Sequence, residues 1–174
     1  MYPMAQASSS EDDFIDKVRR EWKRAYPEID TSPVEVMGRI ARISSQSLHQ
    51  LDRALAPSGV SRAEFDVMSA LARSDRPLRA SEVTAVTMFS GAATTKHADR
   101  LAKLGLVERQ RFERDGRVVL LTLTEAGRAL VEAEFPRRVE RDRQLLTGLD
   151  ADEQAQLTAL LKRISINIDA GLWD

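Results

Sequence analysis

The 174-residue sequence has no cysteine, and only two histidines, His49 and His97. Without thiols there is no disulfide scaffold, thiolate zinc site, cysteine nucleophile or thiol redox sensor. Two histidines far apart in sequence make no cluster with metal-ligand spacing, so no metal is expected. The enzyme motifs that can be read from one sequence are also missing: there is no phosphate loop, serine nucleophile elbow, glycine fingerprint after a strand or histidine pair. The expectation is a protein that is not an enzyme, with no catalytic residues and no cofactor. No stretch approaches the roughly 20 apolar residues of a membrane span. Residues 1–10 are polar and serine-rich, without the apolar centre of a signal peptide, and read as a flexible tail; the chain is expected to be cytoplasmic and to have no membrane partner. An excess of one charge is lacking too. Lysine and arginine total 26 against 27 acidic residues, a formal net charge of -1, so no global basicity points to nucleic acid.

What is present is helical periodicity, interrupted once. Phe14, Ile15, Val18 and Trp22 recur at three-to-four spacing, and Tyr26-Pro27 closes this first helix, because the residue before proline is pushed out of the helical region. Thr31-Ser32-Pro33 with Glu35 has the form of a helix start. Val36, Ile40, Ile43, Leu48, Leu51 and Leu55 then carry a long stripe towards Pro57-Ser58-Gly59. Ser61 and Glu64 form a capping box for a third helix with Phe65, Met68, Leu71 and Ala72 on its inner face. After Asp75-Arg76-Pro77, two short helices, 80–87 and 91–104, are joined by a tight turn at Met88-Phe89-Ser90, a helix-turn-helix pattern. Gly105 stands where a left-handed cap is expected, residues 106–112 read as a strand, Glu113-Arg114-Asp115-Gly116 supplies Asp-Gly turn chemistry, and 117–123 returns as a second strand. Thr124 and Glu125 start a long helix, bent at Pro136, and Asp150 caps a last one with Leu157, Leu160, Leu161, Ile164 and Ile168 along its stripe.

The predicted fold is mainly α with a small β wing: a winged helix-turn-helix domain at 61–123 between N-terminal helices at 11–60 and C-terminal helices at 124–174. The apolar stripes of the flanking helices have no sheet to cover and need a partner. A symmetric homodimer with intertwined terminal helices satisfies them, and a monomeric helical bundle is the alternative. Charge supports a DNA-binding middle. Residues 73–128 carry a net +4, leaving -5 elsewhere. On the second helix of the pair, Lys96, Arg100 and Lys103 share the face opposite Leu101 and Leu104, where they can enter a major groove. Thr94 and Thr95, in the early turns, can meet base edges or phosphates. Arg114 and Arg117 flank the hairpin tip and can reach a minor groove, or can simply solvate the hairpin.

In this order and spacing the residues resemble the MarR family of dimeric winged-helix transcriptional regulators, over roughly residues 34–168. The matches are Ser90-Gly91-Ala92, Asp99-Arg100-Leu101, Gly105-Leu106-Val107-Glu108-Arg109, Arg114-Asp115-Gly116-Arg117 and Leu123-Thr124-Glu125-Ala126-Gly127. The resemblance implies a homodimer on a palindromic operator in double-stranded DNA, usually a repressor, often released by a small aromatic or anionic ligand held between dimerisation and DNA-binding lobes. It also implies that Arg117 reaches the minor groove and that Asp115 helps hold the wing.

The first helix with Trp22, the stretch Tyr26-Pro27-Glu28-Ile29-Asp30, and Arg62-Ala63-Glu64-Phe65-Asp66 resemble the PecS-like, urate-responsive branch of that family. There the resemblance implies a ligand set to which Trp22, Asp66 and Arg109 correspond, while His97 stands where the branch has an arginine. An imidazole does not replace a bidentate guanidinium, so the urate response is open. From the residues themselves, His97 falls on the inner side of its helix, where it can pair with Asp66 or an anionic ligand, or be held in the core. Trp22 lies on the stripe of Phe14, Ile15 and Val18, where a tryptophan is more often packing than a ligand contact. Asp66 in mid-helix calls for a partner that the sequence does not name. A regulator or interaction protein with a winged helix and no effector is the alternative function.

Overall fold

The computed structural model describes residues 12–112 and 115–170, with the backbone only for 111, 112 and 115–117. The chain divides into two compact units between Gly59 and Val60.

The first unit holds α1 (Phe14–Ala25) and α2 (Pro33–Leu55), the latter followed by a single 3-10 turn, Ala56–Ser58, that ends at Gly59 with φ 68°. Asp13 caps α1 by accepting from the Ile15 and Asp16 amides, in a capping box with Asp16. Two features seat α1 on α2. Ile15 is buried with its methyl groups against the Cα side of Gly38, where a Cβ would stand 3.1 Å from Ile15 Cγ2. Beside it the Arg39 guanidinium spans Asp13 and Asp16, both at 2.9 Å. The stripe of α2 is only partly covered within the chain: Leu51 and Leu55 are buried, whereas Val36 and Ile43 are exposed.

The second unit contains α3 (Arg62–Ala72), β1 (Leu78–Arg79), α4 (Ala80–Thr87), α5 (Gly91–Lys103), β2 (Val107–Phe112), β3 (Asp115–Leu123), α6 (Glu125–Leu145) and α7 (Ala151–Asp169). Its core is Phe65, Val67, Met68, Val83, Leu101 and Leu121, all essentially inaccessible to water. The sheet is antiparallel in the order β1-β3-β2. β1 has no sequence signature: Leu78 and Arg79 are too short a run to show a period of two, and they become a strand by pairing with Leu121 and Leu120. Of the expected turn, Glu113-Arg114-Asp115-Gly116, positions 113 and 114 lie outside the described residues. Asp115 already pairs with Phe112, after a register shift at Arg111 and Phe112, so Asp115-Gly116 belongs to β3.

Other helix boundaries follow local chemistry. Ser61, Ser90, Thr124 and Asp150 each cap the helix that follows, and Gly105 takes φ 71° after α5. Met88 ends α4 in the left-handed region at φ 57°, rare for a side chain of that size. Leu104, expected on the inner face, instead lies past the end of α5 and is exposed. α6 runs as one helix through Pro136. α7 buries none of its residues within the chain: Leu157, Leu160, Leu161, Ile166 and Ile168 are all exposed. Among the described residues, no helix is long and apolar enough to cross a membrane.

Candidate nucleic-acid interface

The two helices of the central motif meet at a corner built by hydroxyls. The Thr84 Oγ1 is 2.9 Å from the Ala80 carbonyl and 2.9 Å from Thr94 Oγ1, and Thr87 donates to the Val83 carbonyl. Thr94 is 0 % exposed. Its expected place at base edges is therefore corrected: position 94 faces α4, because it lies seven residues before Leu101 on the buried side. Thr95 is exposed, and its hydroxyl donates back to the Gly91 carbonyl at 2.9 Å.

The opposite side of α5 is a cationic groove. A depression of about 840 Å³ is lined by Gly91, Ala92, Thr95, Lys96, Asp99, Arg100 and Lys103. Lys96 and Lys103 are exposed on it. Arg100 is different: its Nε donates to Oε1 of Glu64 at 2.9 Å, and Glu64 lies on α3. The structure thus brings Thr95, Lys96, Arg100 and Lys103 to one face and removes Thr94 from it. Arg114 lies outside the described residues, and the side chain of Arg117, whose backbone is in β3, does too.

The four residues carried from the branch resemblance have partners that the sequence did not disclose. Asp66 finds Arg138 of α6, with Nη1 3.9 Å from its Oδ1. Arg109 on β2 is ion-paired with Asp99 of α5. His97 packs against Phe89, ring centroids 5.6 Å apart at 52°. These three pairings join segments that are distant or differently structured, so no periodicity announces them. Trp22, in the first unit, is half exposed and packs on Tyr26 at 5.6 Å. With Tyr26, Ile29, Asp30, Thr31 and Val34 it lines a hollow of about 300 Å³. Among the described residues no group of three or more histidine, aspartate or glutamate side chains is placed to hold a metal ion.

Electrostatics at the edge of the motif are set by one pair. Glu82 in the first turn of α4 accepts from the Arg76 guanidinium at 2.6 Å and from the Arg79 amide at 2.7 Å. These bonds, the Arg76 one foremost, hold its carboxyl down at about 2.

Comparison with known proteins gives this geometry its place. Residues 58–118 match the MarR family model. The chain is 29 % identical over 152 residues to the HTH-type transcriptional regulator PecS of Dickeya dadantii (strain 3937), covering 86 % of this chain and 92 % of PecS. It is 32 % identical over 133 residues to the multiple antibiotic resistance protein MarR of Escherichia coli (strain K12), covering 74 % of this chain and 90 % of MarR. Among solved structures, Bordetella bronchiseptica BpsR, whose DNA binding is regulated by 6-hydroxynicotinic acid, is similar at a TM-score of 0.66 and 27 % identity, over 75 % of this chain and 98 % of that one. The helix-turn-helix, the hairpin and these matches agree: the chain belongs to the MarR family, and is a winged-helix, DNA-binding transcriptional regulator and not an enzyme.

Proposed function

We propose that the protein is a cytoplasmic homodimer that binds a palindromic operator, represses the adjacent gene, and is released by a small aromatic or anionic ligand of the urate or purine kind. The observation that carries this reading is the outer face of α5, where Thr95, Lys96, Arg100 and Lys103 line one groove. Cations so placed neutralise phosphates and make affinity depend on salt. Arg114 and Arg117 of the wing are proposed minor-groove contacts. Two copies side by side supply the two half-sites of a palindrome, and the uncovered apolar faces of α2, α6 and α7 supply the contact between copies.

The effector half of the reading rests on similarity to PecS and on Trp22, which is exposed beside its hollow. Trp22, Asp66, His97 and Arg109 are its proposed contacts. Two points favour an effector-free regulator instead: Asp66 and Arg109 already hold ion pairs with Arg138 and Asp99, and His97 stands where the resemblance to the branch implies an arginine.

The deciding experiment is fluorescence anisotropy of a labelled operator, titrated with the protein and then with urate, xanthine and phenolic acids at two pH values either side of the imidazole range. Salt-dependent binding that one of these compounds reverses supports the full reading. Binding indifferent to all of them supports the effector-free alternative, and binding insensitive to salt, or fully retained in Arg117→Ala, contradicts the proposed DNA contacts.

A further inference from the structure

Among the described residues of the second unit, Glu64 is one of the few charged side chains that are buried, at 2 % exposure. Burying a carboxylate is costly unless its oxygens find donors. Both do. The Ser61 amide donates to Oε2 at 2.8 Å, closing the capping box of α3, and Arg100 Nε donates to Oε1 at 2.9 Å. A capping box needs only the first of these bonds. The second ties the start of α3 to the last turn of α5, across 36 residues of sequence.

The consequence falls on Arg100. Half of its side-chain surface is open to water, and it lines the groove with Lys96 and Lys103, which sit on flexible stems. Of the three, it is Arg100 that donates to a buried acceptor. Its guanidinium plane is set before DNA arrives, so the rotamer entropy of that side chain is not lost again on binding. Helices of this motif meet base edges with their N-terminal residues. A residue in the last turn therefore lies beside the sugar-phosphate backbone, where phosphate contacts fix the register.

We propose that Glu64 is a positioning residue for DNA binding: it holds Arg100 in the orientation in which the guanidinium clamps a backbone phosphate beside the last turn of α5. This rests on the reading of α5 as the recognition helix.

The test uses the full-length protein and a fluorescein-labelled duplex selected with the wild-type chain from a random library, with affinity measured across a salt series. Glu64→Gln keeps an oxygen for Ser61 and a fold for α3 while weakening the hold on Arg100. Arg100→Gln removes the cation but keeps a donor for Glu64, so no buried carboxylate is stranded. Glu64→Gln is expected to weaken binding by about three- to ten-fold, with an unchanged salt slope, because the cation is still there but must be ordered on binding. Arg100→Gln is expected to reduce the slope by about one. In the Arg100→Gln background, adding Glu64→Gln is expected to change affinity no further. An effect of Glu64→Gln that persists in that background, or that tracks a lowered melting temperature, assigns Glu64 a structural role only and overturns the proposal. So does an unchanged affinity in Glu64→Gln. Wild-type protein that selects no duplex overturns the reading of α5, and this inference with it. Wild-type binding with an unaltered slope in Arg100→Gln overturns the phosphate clamp alone.

Discussion

Neighbouring threonines at the start of α5 serve opposite ends of the molecule's chemistry. Thr94 has no access to water and shares its hydroxyl with Thr84, so it belongs to the corner between α4 and α5. Thr95, one residue on, is turned by 100° and exposed. Thr94→Val should therefore cost about 1 kcal/mol of stability, the worth of one hydrogen bond, and leave the salt dependence of DNA binding unchanged. Lys96→Ala should do the reverse: no loss of melting temperature, and a salt slope reduced by about one, uniformly across DNA sequences. Paired denaturation and anisotropy measurements separate the two, and a slope unaltered in Lys96→Ala would remove that residue from the interface.

Single turns carry the elements' positions. Where β3 gives way to α6, Thr124 accepts from the Gly127 amide and donates to the Gly105 carbonyl at 2.7 Å, while its own amide donates to the Leu106 carbonyl. This brings α6 so close to the segment after α5 that a Cβ on Gly127 would stand 2.0 Å from the Leu106 carbonyl oxygen. Backbone cannot swing aside as a side chain can, so Gly127→Ala should destabilise by at least about 1–3 kcal/mol, read as a lower midpoint in urea. The start of α4 depends on Glu82. Its folded pKa, about 2, lies below the ordinary 4.5, so its bonds to Arg76 and Arg79 contribute in full above 4.5 and are lost as pH falls through about 2. Wild-type protein should lose its stability advantage over Glu82→Gln across that interval. Equal stability of the two at pH 7 would show that the pair, which is exposed to solvent, contributes nothing measurable.

At the scale of the whole molecule, the telling fact is what one chain leaves uncovered. α7 presents Leu157, Leu160, Leu161, Ile166 and Ile168 to water, and α6 presents Phe135, Val139 and Leu145. Apolar exposure on this scale marks an interaction surface. In the proposed homodimer a second copy covers it. Leu160→Glu with Leu161→Glu should then give a monomer by sedimentation and abolish high-affinity operator binding, since two half-sites can no longer be engaged together. A variant that sediments as wild type would refute this use of α7.

Sequence by itself determined the order of helices, the caps at Ser61, Gly105, Thr124 and Asp150, and the hairpin, because capping boxes, Gly105 and the three-to-four stripes are local chemistry acting within a turn or two. It also determined that Lys96, Arg100 and Lys103 share a face, since 3.6 residues per turn is geometry and not context. Only the tertiary structure decided which residues lie inside and which pair. Thr94 is buried because α4 crosses at that point; Leu78-Arg79 is a strand because β3 offers it partners; Arg109, Asp66 and Arg100 are held by Asp99, Arg138 and Glu64 from other elements. Such pairings depend on distances in space between residues far apart in the chain, and no local period encodes them.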